Sequence, residues 1–522
     1  GVGIIVLRRR GGGSRSIQHA TLAIGTVCCV AASSQGCACG SSADSGPACG
    51  ADCNSECKPP LGLGEPGSYT SVAKSKDGTL WVAGYNDALI DQGDTEFFGD
   101  LVVGKYDLGK QQVQWTTVDG IPARTQGCPD RDPTSWRNGE SDSGDDVGLW
   151  TSLQVSTEDR PIVAYYDATN HRLKGAWNDD DGWHVYVIKE AAPNGDTGRY
   201  AKMILDNGMP VIAFLQIEPG DAGHTRSRLT VARSHDATPH GPDSFAFEDV
   251  VVIEDNPCGG STCGPAAVCN KDNGLCTQKT DGCTPADCGT GNACGTVAGK
   301  AACFTVRDVD TYPDVMGDYI SLSQGPTGLG IAAYDRPHGN LVAFVDRGGG
   351  KWDQFIVDGE TGSRADKTAI DTGDVGIGAS LFIGGDGTWH MSYVSGDDES
   401  LRYITWKDGK AGKSEIIDDG TSADGSTFPD GVHIVGDDST IRVDGDILTV
   451  YYQDATAGTL RRASGTPMGA THAWAVRALP QPGRFAGFFP ALVPGEDKVA
   501  NFWEHSDPQS KSMNGDVAVI AP

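Results

Sequence analysis

Basic residues are scarce in this chain: Lys and Arg total 41 against 70 Asp and Glu, a formal charge of -29 at pH 7. A surface of that sign repels phosphate backbones, so nucleic acid is excluded as the main partner. It attracts cations and keeps an exported protein soluble. Beyond the N-terminal region no apolar run approaches the length needed to cross a bilayer, so no transmembrane span is expected. No Gly-x-Ser-x-Gly elbow is present, and the 11 His are scattered, which leaves no recognisable nucleophile and base. No Cys pair has a Cys/His zinc context, and no EF-hand loop occurs.

What is abundant is glycine, 72 of 522 residues, roughly twice the usual share for a soluble protein. The glycines punctuate a repeat. Each unit opens with Gly, an aromatic and a Ser-Leu-like pair, as in Gly67-Ser68-Tyr69-Thr70-Ser71-Val72, Gly148-Leu149-Trp150-Thr151-Ser152-Leu153 and Gly317-Asp318-Tyr319-Ile320-Ser321-Leu322. Gly376-Ile377-Gly378-Ala379-Ser380-Leu381 keeps the pattern without the aromatic. A tight turn follows, Asp77-Gly78, Asn207-Gly208, Asp386-Gly387 or Asp444-Gly445, the strongest short hairpin signal. Next comes an apolar strand with an aromatic near its end, such as Pro161-Ile162-Val163-Ala164-Tyr165-Tyr166-Asp167 or Leu448-Thr449-Val450-Tyr451-Tyr452-Gln453-Asp454. A third strand and, in some copies, an outer strand complete the unit.

Four short strands per repeat predict an all-β protein, a β-propeller of seven four-stranded blades. Units begin near Gly67, Gly148, Gly198, Gly317, Gly376, Val432 and Gly487. The third is divergent, because Pro210-Val211-Ile212-Ala213-Phe214 lacks the Tyr-Asp ending. The count falls to six if a weak unit is not a full blade. The last unit shows no outer strand of its own. The blades resemble the sialidase-like repeat propellers of secreted bacterial surface proteins of the myxobacterial type, from about Gly67 to the C-terminus outside a Cys-rich insert. That resemblance implies an exported propeller at the cell surface. The strict sialidase box Ser-x-Asp-x-Gly-x-Thr-Trp is absent; Asn178-Asp179-Asp180-Asp181-Gly182-Trp183 and Arg347-Gly348-Gly349-Gly350-Lys351-Trp352 keep only its Gly and Trp.

The predicted organisation is a signal segment over 1–36, a Cys/Gly/Ser-rich tail over 37–66, blades 1–3 over 67–256, a Cys-rich insert over 257–304 and blades 4–7 over 305–522. Arg8, Arg9 and Arg10 precede an apolar stretch ending near Ala32, the layout of a secretory signal. Ser34-Gln35-Gly36-Cys37 resembles a bacterial lipobox and makes Cys37 a lipidation candidate. With an export signal, clustered cysteines read as disulfides. The insert carries two similar halves, Cys258, Cys263, Cys269 and Cys276, then Cys283, Cys288, Cys294 and Cys303. The stretch from Cys263 to Asn270 resembles the opening of an EGF-like module. So few apolar residues cannot form a core, which points to a disulfide-held mini-domain of undetermined connectivity.

In a propeller the loop entering the inner strand and the loop after the second strand share one face. Asp146, Asp314, Asp318 and Asp374 come from the first set and are the candidate metal ligands. Asp167, Asn170, Asp335, His338, Asp397 and Asp454 come from the second, with Trp503, and are the candidate ligand-binding residues. Crowded carboxylates repel unless protonated or bound to a cation, so calcium is the cofactor they would take. Their competing role is to cap turns. No catalytic residue is assigned. The main expectation is an exported, non-catalytic surface propeller binding a glycan, protein or cation through its acidic loop face. The alternatives are a secreted glycoside hydrolase or lyase using these carboxylates, and a structural envelope lipoprotein.

Overall fold

The computed structural model describes residues 64–87, 98–122, 137, 143–219, 225–254, 267–270, 275–278, 292–297, 300–305, 315–361, 370–422, 425–481, 485–506 and 513–521. Asp314 and Cys37 lie outside these residues, as do the signal segment and the first two cysteines of each insert half. Seven antiparallel sheets follow one another in chain order. They form blade 1 (65–119), blade 2 (147–189), blade 3 (196–254), blade 4 (316–358), blade 5 (375–418), blade 6 (435–478) and blade 7 (485–520). Each inner strand packs against the inner strand of the next blade, and Phe485–Leu492 of blade 7 packs against Glu65–Lys74 of blade 1. The architecture is therefore a closed seven-bladed propeller around one axis.

The divergent third unit is a complete blade, with strands Asp196–Asp206, Met209–Pro219, Thr225–Ser234 and Phe245–Glu254. The missing Tyr-Asp ending weakens the sequence signal but not the strand, since Val211 to Leu215 are all buried. In blade 5 the outer edge is divided between Lys410–Ala411 and Glu415–Asp418, both paired with Leu401–Lys407. Blade 7 has three strands among the described residues. Its closure onto blade 1 is made by packing of Val82 and Val113 against Ala500 and Val517.

The second strands read as unbroken apolar runs because both of their faces are covered. Ile331 and Ala333 of blade 4 pack with Val211 and Ala213 of blade 3. The alternate residue Ala332 packs with Val375, Leu381 and Tyr393 of blade 5. Period-2 alternation thus hands successive side chains to opposite neighbours. The turn Asn207-Gly208, with φ of 51° and 83°, has the two positive angles that a primed hairpin requires.

In the insert, Ala267–Asn270 pairs with Leu275–Gln278 and Asn292–Val297 with Lys300–Thr305. Register sets Cys269 opposite Cys276 and Cys294 opposite Cys303. No helix among the described residues is long and apolar enough to cross a membrane.

Candidate functional site

The opening Gly of each unit marks a bulge in the inner strand. Its φ is positive in all seven blades, at Gly67, Gly148, Gly198, Gly317, Gly376, Gly436 and Gly487. A Cβ at Gly376 would lie 2.7 Å from Leu341 Cα, and one at Gly487 2.9 Å from Leu460 Cα, so the bulge presses onto the previous blade's third strand. Two residues on, a left-handed residue recurs: Tyr69, Trp150, Tyr200, Tyr319, Gly378, Asp438 and Phe489, with φ between 48° and 62°. For bulky side chains this backbone is costly. Seven copies place one residue each from the seven inner strands around the central lumen.

Five of the seven are aromatic, and their rings run in a continuous arc. Phe489 stacks on Tyr69 at 4.7 Å, Tyr69 lies 5.7 Å from Trp150, Trp150 5.1 Å from Tyr200, and Tyr200 5.2 Å from Tyr319. The arc is interrupted at Gly378 and Asp438. The Ser two residues beyond the left-handed position has a role that the sequence did not disclose. Its hydroxyl accepts a bond from the next blade's backbone: Leu153 N–H to Ser71 at 2.9 Å, Met203 to Ser152 at 2.9 Å, Leu381 to Ser321 at 3.0 Å, and Ile441 to Ser380 at 3.2 Å. Lys202 occupies this position in blade 3.

The two loop sets do meet, through backbone bonds. Ala168 N–H donates to Asp146 O (2.8 Å), Gly396 to Asp374 O (2.7 Å) and Ala455 to Ile434 O (2.9 Å). Their carboxylates take separate partners. Asp146 and Asp374 accept the Tyr85 and Tyr334 hydroxyls of the preceding blade at 2.9 and 2.7 Å. Burial raises Asp146 to about 6 even though the Tyr85 hydroxyl opposes it. Asp318 is buried. Asp397 is exposed and accepts the Asp374 N–H at 3.2 Å.

Asp167 is fully buried and accepts bonds from Asn170 N–H and Nδ2 and from Arg172 Nε (2.9 Å). Exposed Asn170 also reaches Asp145. Asp335 pairs with the exposed His338 imidazole at 2.9 Å. Asp454 accepts the Ala457 N–H and pairs with His433 and Arg461. Trp503, half-buried, takes the matching place in blade 7, opposite Ala486. These groups close turns within their own blades, as buried carboxylates must find donors. Among the described residues, no group of three or more His, Cys, Asp or Glu side chains is placed to hold a metal ion.

A second set of strand-end tyrosines links blades in the other direction. Tyr165 and Tyr452 donate to Asp119 and Asp418 at 2.6 Å, and Tyr393 donates to Asp358. In each case the acceptor ends the previous blade's outer strand. These aromatics are staples, and none of the three stands on an open surface.

On the outer part of blades 1 and 2 lies an open concavity of about 280 Å³. Trp81, Val103, Gly104 and Lys105 line it from blade 1, with Gln114, Trp115 and Thr116 of the outer strand, and Trp183 closes it from blade 2. The Trp81 and Trp183 side chains are half-buried and share one cluster with Val118 and Val155. The Trp115 indole instead donates to Asp516 of blade 7 at 3.1 Å. Lys105 Nζ lies 4.7 Å from the centre of the Trp81 ring. Nothing in the repeat motif singles out Trp81, and Trp183 stands out only as the remnant of a turn motif.

The class defined by these sheets is a seven-bladed propeller. No family model matches the chain and no curated protein matches it in sequence. Solved structures similar to it include a periplasmic gluconolactonase from Pseudomonas aeruginosa, at TM-score 0.36 and 12% identity, covering 79% of this chain and 84% of that one. Puromycin hydrolase gives TM-score 0.40 and 10% identity over 88% of this chain and 54% of that one. AofleA from Arthrobotrys oligospora gives TM-score 0.30 and 10% identity over 81% and 89%.

Proposed function

We propose that this chain is an exported, non-catalytic propeller that binds a glycan in the groove between blades 1 and 2. The observation that carries the reading is the groove itself. Trp183 and Trp81, the latter with the Lys105 ammonium over its ring, line it as half-buried indoles, and Gln114, Thr116 and Lys105 supply hydrogen-bonding groups. Sugar rings have an apolar face and a hydroxylated rim, which suits large aromatic surfaces beside a few polar groups. Hydrolysis would need two carboxylates flanking a bond. The commitment of Asp146, Asp167, Asp374 and Asp454 to Tyr, Arg, His and turn donors favours binding over turnover. Export is supported by the basic-then-apolar N-terminal segment and by the cysteine pairs of the insert. The facing registers support Cys269–Cys276 and Cys294–Cys303 bridges, and Cys303 is disulfide-bonded.

Affinity electrophoresis through a panel of soluble polysaccharides tests the reading. Retardation of the wild type by at least one polymer is expected, with binding about tenfold weaker in Trp183→Ala, the loss of one large aromatic contact. Equal retardation of Trp183→Ala, or turnover of the retarding polymer, overturns it.

A further inference from the structure

The groove between blades 1 and 2 differs in charge from the rest of the chain. Acidic side chains number 70 against 41 basic ones, yet none of the eight residues lining the groove is Asp or Glu. Lys105, exposed, is the one ionised group among them. It has no ion-pair partner among the described residues, and its ammonium rests 4.7 Å from the centre of the Trp81 ring. A ring face takes up the charge on one side and leaves the ammonium donors that point away from it to other acceptors.

The acids nearest in sequence are engaged elsewhere. Asp77 caps its own turn through the Thr79 N–H at 2.9 Å, Asp179 pairs with His184 at 2.9 Å and Asp180 with Arg160 at 3.2 Å. Asp77 feels the Lys105 charge, which adds to the Thr79 bonds in holding its carboxyl below the ordinary range. The three indoles of the groove are not equivalent donors. Trp81 Nε1–H goes to Ser75 Oγ at 3.0 Å and Trp115 Nε1–H to Asp516 at 3.1 Å. The Trp183 N–H has no acceptor among the described residues. Blade 1 thus brings an ammonium to the groove and blade 2 an uncommitted N–H, with no carboxylate to oppose them.

We propose that the glycan of this groove is anionic, a chain of uronic acid units, with Lys105 as the counter-ion of a sugar carboxylate and the Trp183 indole as apolar surface and donor for a sugar ring. This rests on the reading of the groove as a glycan site. A carboxylate only accepts hydrogen bonds, so it suits an ammonium better than a neutral hydroxymethyl group does. The ammonium covers a face of Trp81, so stacking falls to Trp183 and the choice between acidic and neutral sugars to Lys105. The net charge of -29 does not oppose this. In about 0.15 M salt, exposed charges more than roughly 8 Å away are largely screened, and the groups in contact decide. Nucleic acid differs, because its affinity rests on many phosphates neutralised together, and the groove holds one cation.

Isothermal titration of the full chain in about 0.15 M NaCl tests it. The probes are oligogalacturonate, oligomannuronate and hyaluronan oligosaccharides, each beside its neutral methyl ester. At least one acid should bind about fivefold more tightly than its ester, the worth of one partly exposed ion pair. Lys105→Gln should remove that margin and leave ester binding unchanged, Lys105→Arg should keep it, and Trp183→Ala should weaken acid and ester alike. An ester bound as tightly as its acid, or a margin that survives in Lys105→Gln, overturns the inference, while a loss in Trp183→Ala still upholds a glycan in the groove. Binding of none of the acids also overturns it, and retardation by a neutral polysaccharide that Trp183→Ala weakens would then leave the groove reading standing alone.

Discussion

The seams between blades are not alike. Blades 1 and 2 are joined by Tyr165–Asp119, by the Ser71–Leu153 bond and by Lys174, which pairs with Asp119. Blades 5 and 6 are joined by Tyr452–Asp418, Ser380–Ile441, Ser392–Ser439 and an Arg461–Asp418 pair. Where blade 7 meets blade 1, the described residues offer an apolar cluster, the Trp115 indole on Asp516 and a half-exposed Lys74–Glu496 pair. At this seam Gly84 of blade 1 takes the place of the stapling Tyr and Ala491 of blade 7 that of the Ser, so neither bond can form. These two internal seams are thus held by directional, buried polar contacts, and the closing seam mainly by burial. Directional contacts fix register, while apolar packing tolerates sliding.

The largest expected effect lies in an internal seam. Lys174→Met removes the ammonium shared by Asp119 and, at 4.0 Å, by Asp167. Lys174 is buried, but half-buried Asp119 keeps the Tyr165 hydroxyl and Asp167 keeps Arg172, so the loss should be about 3 kcal/mol, the low end for a broken buried pair. Denaturant unfolding would measure it. A loss under 1 kcal/mol would mean that the seam holds by packing alone, like the closing one.

Next in size is a pH effect at the seam of blades 5 and 6. His433 is 5% exposed and lies between Asp454 at 2.7 Å and Asp430 at 3.1 Å, with Phe428 stacked on its ring. Burial lowers its proton affinity, but the hydrogen bonds to the two carboxylates outweigh this and leave it raised above 6.5. A group with a raised folded value contributes stability fully below its unfolded value and loses that contribution as pH rises through the folded one. His433→Gln should therefore lower the melting temperature more at pH 5.5 than at pH 8.5, by a difference worth about 1.5–3 kcal/mol for a charge-assisted bond. An equal loss at both values would show the imidazole to be neutral throughout.

Much of this contrast was legible, and the part that was not has a physical cause. Period-2 apolar runs and Asp-Gly or Asn-Gly turns report local conformation, so strands, turns and blade number followed from them. The opening Gly-aromatic-x-Ser-Leu motif was equally visible, but its meaning lay in another blade. Tyr69 faces Phe489, and Ser71 serves Leu153. The aspartates were expected on one face, yet each carboxylate direction depends on which donor reaches it, from its own blade or from a neighbouring one. Asp374 waits for Tyr334 of the blade before it, whereas Asp167 is closed by Asn170 and Arg172 of its own. Gly378 read as a damaged copy of the motif. Only the ring of seven shows it to be the one left-handed position without a side chain.

The smallest energetic effect should come from the closing seam, and it carries the sharpest test of the comparison. Lys74 and Glu496 are each more than a quarter exposed, so Lys74→Ala should cost less than about 1 kcal/mol, as exposed ion pairs do. Global stability is the wrong readout for so small a change. If the closing seam opens first, amides of Glu65–Lys74 and Phe485–Leu492 will exchange through a sub-global opening, while those of Val375–Ile383 exchange only on full unfolding. Lys74→Ala then speeds exchange in the first two strands by up to about fivefold and leaves the third unchanged, since it acts on the partial opening and barely on the global one. Uniform protection across all three strands would show the ring to unfold as one unit, with a seam of apolar contacts as secure as one stapled by tyrosine and aspartate.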